Sequence, residues 1–119
     1  MTCKEMNLKL IATFPELRNA YYEETSWQDG DETGSHVVYE DVFVPFIRNL
    51  IMQRNEVLLS KVFGYIETLL ELNDQYAEEV IEQSVLESLF FDSETQNSSF
   101  IKYARKRTAE LIEEIAQNR

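Results

Sequence analysis

Apolar residues recur at intervals of three and four along nearly the whole chain, and this spacing limits the fold more than any other feature. It is the spacing of one face of an α-helix. The only β-like stretch, 36–44, is continued at helical spacing by Phe46 and Leu50. We therefore predict an all-α fold, a single domain of five to six antiparallel packed helices. The first apolar stripe consists of Cys3, Met6, Leu10, Phe14, Leu17 and Tyr21.

Capping residues and prolines divide this pattern into separate helices. Thr2 and Glu5 have the spacing of a capping box at the start of the first helix. Pro15 predicts that this helix ends near Thr13 and that a second helix opens with the proline in its first turn. Pro45 is expected either to kink a later helix or to open it.

Two segments lack apolar periodicity and are predicted loops: an acidic loop at about 26–36 and a second loop at about 92–98. Gly64 falls inside a predicted helix, where glycine is costly, so we expect a close helix crossing there.

Length and composition indicate one folded domain, residues 1–119. The chain is 44% hydrophobic, far more than a disordered acidic chain. No apolar run approaches the roughly 20 residues that cross a membrane. With Cys3 as the single cysteine, no internal disulfide can form. A cytoplasmic protein without a membrane partner is expected.

The net charge of −11 is distributed unevenly along the chain. No lysine or arginine occurs between Lys61 and Lys102, whereas basic residues gather at 102–107. A phosphate backbone rewards clustered lysine and arginine, so no nucleic-acid partner is expected. Helices built only for solubility would alternate Glu with Lys. The pattern therefore favours a basic protein partner, and it predicts separate acidic and basic sides.

Residues 29–40 match the spacing of an EF-hand calcium loop. Asp29, Asp31 and Glu40 stand at positions one, three and twelve, and Gly34 at position six. Against this, the eighth position is His36 instead of an aliphatic residue, and the chain has no second loop to pair with. We predict a solvated or partner-binding loop, with no calcium, metal or other cofactor.

The sequence contains no constellation of residues typical of an enzyme, so no catalytic activity is expected. A nucleophilic pair of Cys3 and His36 would require a contact that spacing does not provide, and together they cannot complete a zinc site. Glu67, Glu71, Asp74 and Glu78 are expected to lie along one exposed helical face.

Four stretches carry a family resemblance: "FPELRNAYYEE", "HVVYEDVF", "KVFGYIETLLEL" and "EVIEQSVLESLFF". They resemble small all-helical immunity proteins encoded beside bacterial polymorphic toxins of the contact-dependent growth inhibition or Rhs kind. The resemblance implies a protein that binds and neutralises a cognate toxin domain. Many such toxins are nucleases with basic clefts, which acidic helices can occupy in place of RNA or DNA.

The partner-binding surface is predicted from charge and from one aromatic anchor. Trp27 is proposed as the anchor because tryptophan is enriched at interface hot spots, although a lone Trp also packs in its own core. The alternative is a helical adaptor or dimerisation module, calcium-responsive through residues 29–40. The candidate residues are Trp27, Asp29, Asp31, Glu32, Glu71, Asp74, Glu78, Glu79 and Glu82.

Overall fold

A computed structural model describes residues 1–91 and 99–117, and these residues form six helices around one core. The predicted all-α fold is confirmed. The helices are α1 (Cys3–Thr13), α2 (Arg18–Thr25), α3 (Ser35–Val38, Tyr39–Phe43 and Val44–Gln53 in one run), α4 (Glu56–Glu71), α5 (Gln75–Glu79, Val80–Leu86 and Glu87–Phe91 in one run) and α6 (Lys106–Gln117).

The helix boundaries follow from capping chemistry. Thr2 and Glu5 form the predicted capping box of α1, and Pro15 opens a short 3₁₀ turn, Pro15–Leu17, directly before α2. The turns after α3 and α4 place Arg54 and Asn73 in the left-handed conformation, both at φ 55°. These turns reverse the chain within a few residues, so consecutive helices pack antiparallel.

Two helices each contain a π-helical segment, Tyr39–Phe43 in α3 and Val80–Leu86 in α5, and the two segments pack against each other. The N–H of Val44 reaches back five residues to the carbonyl of Tyr39, immediately before Pro45. The wider turn makes room for a proline that has no N–H to offer. Pro45 therefore lies inside a continuous helix.

Interlocked aromatic rings fill the centre of the core. Phe14 packs edge-on against Tyr65 at a centroid distance of 5.6 Å, and Phe43 contacts both rings. The Tyr39 hydroxyl donates to the carbonyl of Met6 and pairs with the Tyr65 hydroxyl, each at 2.8 Å. This contact joins α1, α3 and α4 through buried but satisfied polar groups.

Some predicted boundaries differ from the structure. The acidic loop is shorter than 26–36, because α3 already begins at Ser35 and Gly30–Glu32 forms a 3₁₀ turn. The second predicted loop, 92–98, lies outside the described residues. In the described part of the chain, no helix has the length and apolar character needed to span a bilayer.

The structure corrects the reason given for Gly64. A Cβ at this position would meet the Arg105 guanidinium, with Nη2 3.2 Å away. The glycine therefore leaves room for a side chain from the segment before α6, since the three nearest atoms all belong to Arg105.

Candidate functional site

Carboxylates from two helices converge at Glu82, which is half-buried on α5. Burial raises the pKa of Glu82, and the negative charges of Glu87, Glu114, Glu78 and Glu79 raise it further. We call these five residues the acidic face. Three of them, Glu78, Glu79 and Glu82, were predicted as partner-binding residues, and the structure brings them together.

The π-helical segment explains why Glu87 belongs to the acidic face. In an α-helix, residues four apart share a face and residues five apart diverge. Between Val80 and Leu86 the turn is wider, and the N–H of Glu87 bonds to the carbonyl of Glu82. Glu78, Glu82 and Glu87, at spacings of four and then five, therefore line up along α5.

Glu114 enters the acidic face from α6, the last helix. No spacing rule within one helix could have identified it, because its position depends on how α6 packs. The acidic residue types were visible in the sequence, whereas their convergence required the tertiary fold.

The predicted separation of acidic and basic sides is wrong for α4. Lys106 and Arg107 of α6 line an open depression together with Glu67 and Glu71 of α4 and Glu110 of α6. Glu71 therefore faces basic side chains of its own chain. Its candidate role in attracting a basic partner is weaker than that of the acidic face.

Glu67 is buried, with 7% of its surface exposed, so the predicted exposed row of carboxylates is also wrong. Its carboxylate accepts the N–H groups of Arg107 and Thr108, both at 3.0 Å, and the Thr108 hydroxyl at 2.9 Å. Burial raises the pKa of Glu67, but these hydrogen bonds outweigh it and leave the pKa below its ordinary value. Glu67 thus caps the first turn of α6.

Asp74 has a structural role of its own. It is the N-cap of α5, where its side chain accepts the N–H of Ala77 at 3.0 Å. Its other oxygen contacts the amino group of Met1. The hydrogen bond from that amino group, followed by the one from Ala77, lowers the pKa of Asp74. Substitution of Asp74 would therefore disturb α5 as well as any partner contact.

The acidic loop is fixed by hydrogen bonds from side chains of α1 and α2. The buried amide of Asn7 donates to the carbonyls of Asp31 and Thr33, at 3.1 and 2.7 Å. The Tyr21 hydroxyl donates to the Asp31 carboxylate at 2.7 Å. Burial and then this hydrogen bond raise the pKa of Tyr21. Asp29 and Glu32 remain exposed.

The same hydrogen bonds argue against a calcium-binding conformation of residues 29–40. Asp31 is engaged by Tyr21, and residues 35–40 are helical instead of wrapping around an ion. Among residues 1–91 and 99–117, no group of three or more His, Cys, Asp or Glu side chains is placed to hold a metal.

Trp27 follows α2 on a helical turn and is 73% exposed. It is therefore not a core residue. Glu32 and Asp74 lie near the start of α1, where the Cys3 thiol donates to the Glu32 carbonyl and Met1 contacts Asp74. Within the described residues, no side-chain hydrogen bond, ion pair or ring contact joins Trp27 to the acidic face.

Cys3 and His36 have separate partners. The Cys3 thiol is 3.4 Å from the Glu32 carbonyl oxygen, whereas the His36 Nδ1 is 2.7 Å from the hydroxyl of buried Ser84. The His36 ring packs edge-on against Tyr76. These contacts tie the start of α3 to the π-helical segment of α5, which is a packing role.

Comparison with known proteins assigns a family but no activity. No curated protein and no solved structure matched the chain. A family model described as "Domain of unknown function (DUF7674)" matches residues 7–119. Because the match covers nearly the whole sequence, the chain belongs to the DUF7674 family.

Proposed function

We propose that this chain is an immunity protein that binds a basic toxin domain through the acidic face and neutralises it in the producing cell. The observation that carries the proposal is the crowding of four carboxylates around that of half-buried Glu82. Such crowding costs folding free energy at neutral pH, because like charges in a partly desolvated site repel one another. A basic partner would relieve this repulsion.

The proposed mechanism has two steps, electrostatic encounter and occupation of the toxin's cleft. A dense negative field accelerates the encounter with a positively charged protein. The carboxylates can then pair with the lysine and arginine side chains that a nuclease uses to hold phosphates. Occupation of that cleft excludes the nucleic-acid substrate. The resemblance to immunity proteins supports this kind of partner.

The acidic loop with exposed Trp27 supplies a second candidate contact. Asn7 and Tyr21 hold the loop against the body of the protein, so Asp29 and Glu32 are presented from a fixed backbone. Preorganised contacts lose less conformational entropy on binding. The proposed interface therefore comprises the acidic face together with Trp27, Asp29 and Glu32.

The test compares two variants that remove the same charge. Glu78→Gln, Glu82→Gln and Glu87→Gln together neutralise three members of the acidic face. The matched control combines Glu16→Gln, Glu40→Gln and Asp41→Asn, three exposed acids elsewhere. The partner is the toxin domain encoded beside this gene, in a catalytically inactive form. The association rate at low salt is expected to fall at least about tenfold in the first variant and little in the control.

Cell protection provides the second readout. Cells that express the active toxin domain should survive with the parent chain or the control variant and die with the acidic-face variant. Equal protection by both variants would refute the acidic face as the binding surface. A neighbouring gene for a metabolic enzyme, together with self-association of this chain in sedimentation, would replace the proposal with the adaptor or dimerisation alternative.

A further inference from the structure

Trp27 is the only tryptophan in the chain, and it is among the most exposed large apolar side chains of the described residues. The turn that carries it is held by hydrogen bonds on either side: the N–H of Ser26 bonds to Tyr22 O at 3.0 Å and that of Gln28 to Thr25 O at 3.1 Å. An exposed indole carried on a hydrogen-bonded turn offers a stacking surface.

Two glutamates precede Trp27 by one helical turn, Glu23 by four residues and Glu24 by three. Residues at these separations are neighbours on a helix surface. Gln28 holds the Glu24 carboxylate through its side-chain amide at 2.7 Å. Glu23 is exposed, and among the described residues its carboxylate forms no ion pair. Glu23 is therefore the carboxylate left for an incoming cation beside Trp27.

The negative charge around Trp27 favours a cationic side chain as the ligand. Residues 16–41 contain eight acids and the single basic residue Arg18. A cationic side chain gains both from this field and from the face of an indole ring. Arginine suits the pair better than lysine, because its planar guanidinium can stack on a ring while it donates in its own plane to a carboxylate.

We propose that Trp27 and Glu23 together bind one arginine side chain of the partner protein, with the guanidinium stacked on the indole and hydrogen-bonded to the Glu23 carboxylate. The inference rests on the proposed function, since it specifies a second contact with the same basic partner. Glu23 thereby joins the candidate interface.

The first experiment uses the intrinsic fluorescence of the single tryptophan, titrated with a tetra-arginine amide and, for comparison, a tetra-lysine amide. Tetra-arginine is expected to change Trp27 emission to a saturating end point and to bind about three- to tenfold more tightly than tetra-lysine. Glu23→Gln should reduce this affinity by a similar factor, whereas the matched control Glu16→Gln should not. Equal affinity of the two peptides, or no effect of Glu23→Gln, would refute the site.

The second experiment separates this inference from the proposed function by using the inactive toxin domain. Trp27→Ala should increase the dissociation rate about tenfold or more, and Trp27→Phe should retain part of the affinity, because a smaller ring still stacks. Circular dichroism checks that both variants remain helical. If Trp27→Ala binds like the parent while the acidic-face variant fails, the arginine site is refuted and Trp27 leaves the interface, while the proposed function through the acidic face stands. If neither variant changes toxin binding, both are refuted.

Discussion

The Glu67 carboxylate of α4 accepts the backbone N–H of Thr108 at 3.0 Å, so the first turn of α6 is capped by a side chain 41 residues earlier in the chain. A helix usually draws its N-cap from its own flanking residue. Here the cap is also a tertiary contact. The first turn of α6 is therefore capped only when α6 is packed on α4.

Glu67→Gln is expected to lower the free energy of unfolding by about 2 kcal/mol, because a charged acceptor of three hydrogen bonds becomes an amide. The pKa of Glu67 lies below its ordinary value, so its contribution is present above the unfolded pKa of about 4.3 and is lost as the pH falls through the folded pKa. Urea denaturation of both proteins at several pH values measures this. Glu71→Gln on the same helix is the control and should change stability by less than about 0.5 kcal/mol. An equal loss in both variants would contradict the capping role.

Glu82→Gln is expected to act in the opposite direction to Glu67→Gln and to raise the free energy of unfolding at pH 7 by about 0.5 kcal/mol. The pKa of Glu82 is raised, so its ionised form destabilises the fold. This cost is absent below the unfolded pKa of about 4.3 and sets in as the pH rises through the folded pKa. The difference between variant and parent should therefore shrink at acidic pH. A variant less stable than the parent at pH 7 would show that the carboxylates do not repel.

Gly64→Ala is expected to be neutral or stabilising, by up to about 1 kcal/mol. Alanine is favoured over glycine inside a helix by about that amount. The new Cβ would approach only the far end of the Arg105 side chain, which can shift by a few tenths of an ångström. Thermal unfolding monitored by circular dichroism is the measurement. Gly64→Leu is the comparison and should be less stable, because its larger side chain displaces Arg105 altogether. A large loss in Gly64→Ala would show that the Arg105 guanidinium cannot shift away from the new Cβ.

Calcium is expected to leave the protein unchanged. Tyr21 occupies the Asp31 carboxylate, and the helix that begins at Ser35 removes the second half of the loop-like pattern. Isothermal titration and thermal unfolding with and without calcium test this. Binding tighter than about 10⁻⁵ M, the range of calcium sensors, would contradict it.

Much of the fold could be predicted from the sequence because its signals are local. The helical stripes, the capping box of Thr2 and Glu5, and the turn at Pro15 depend on residues within one or two helical turns. The burial of Glu67 could not be predicted, because the groups that satisfy it arrive with α6. The same holds for Glu114 at the acidic face and for Arg105 over Gly64.

The residue type of the candidate site could be predicted from the sequence, but not which acidic residues belong to it. Glu78, Glu79 and Glu82 follow α-helical spacing and were identified, whereas Glu87 lies five residues after Glu82 and was not. The acids of the loop and of α4 shared the same composition signal, yet Asp31 and Glu71 face groups of their own chain. Charge along a sequence therefore shows that the protein carries many acids, but not which of them come together on one surface.

The π-helical segment Val80–Leu86 has a consequence for comparison among members of the family. A π turn differs from an α turn by one inserted residue, so a member with a one-residue deletion there would keep α5 helical. Its downstream acids would, however, rotate away from those upstream. The alignment of carboxylates at the acidic face should thus be lost by deletion of a single codon, with little loss of helix, and relatives that differ by such a gap are expected to present a differently charged surface.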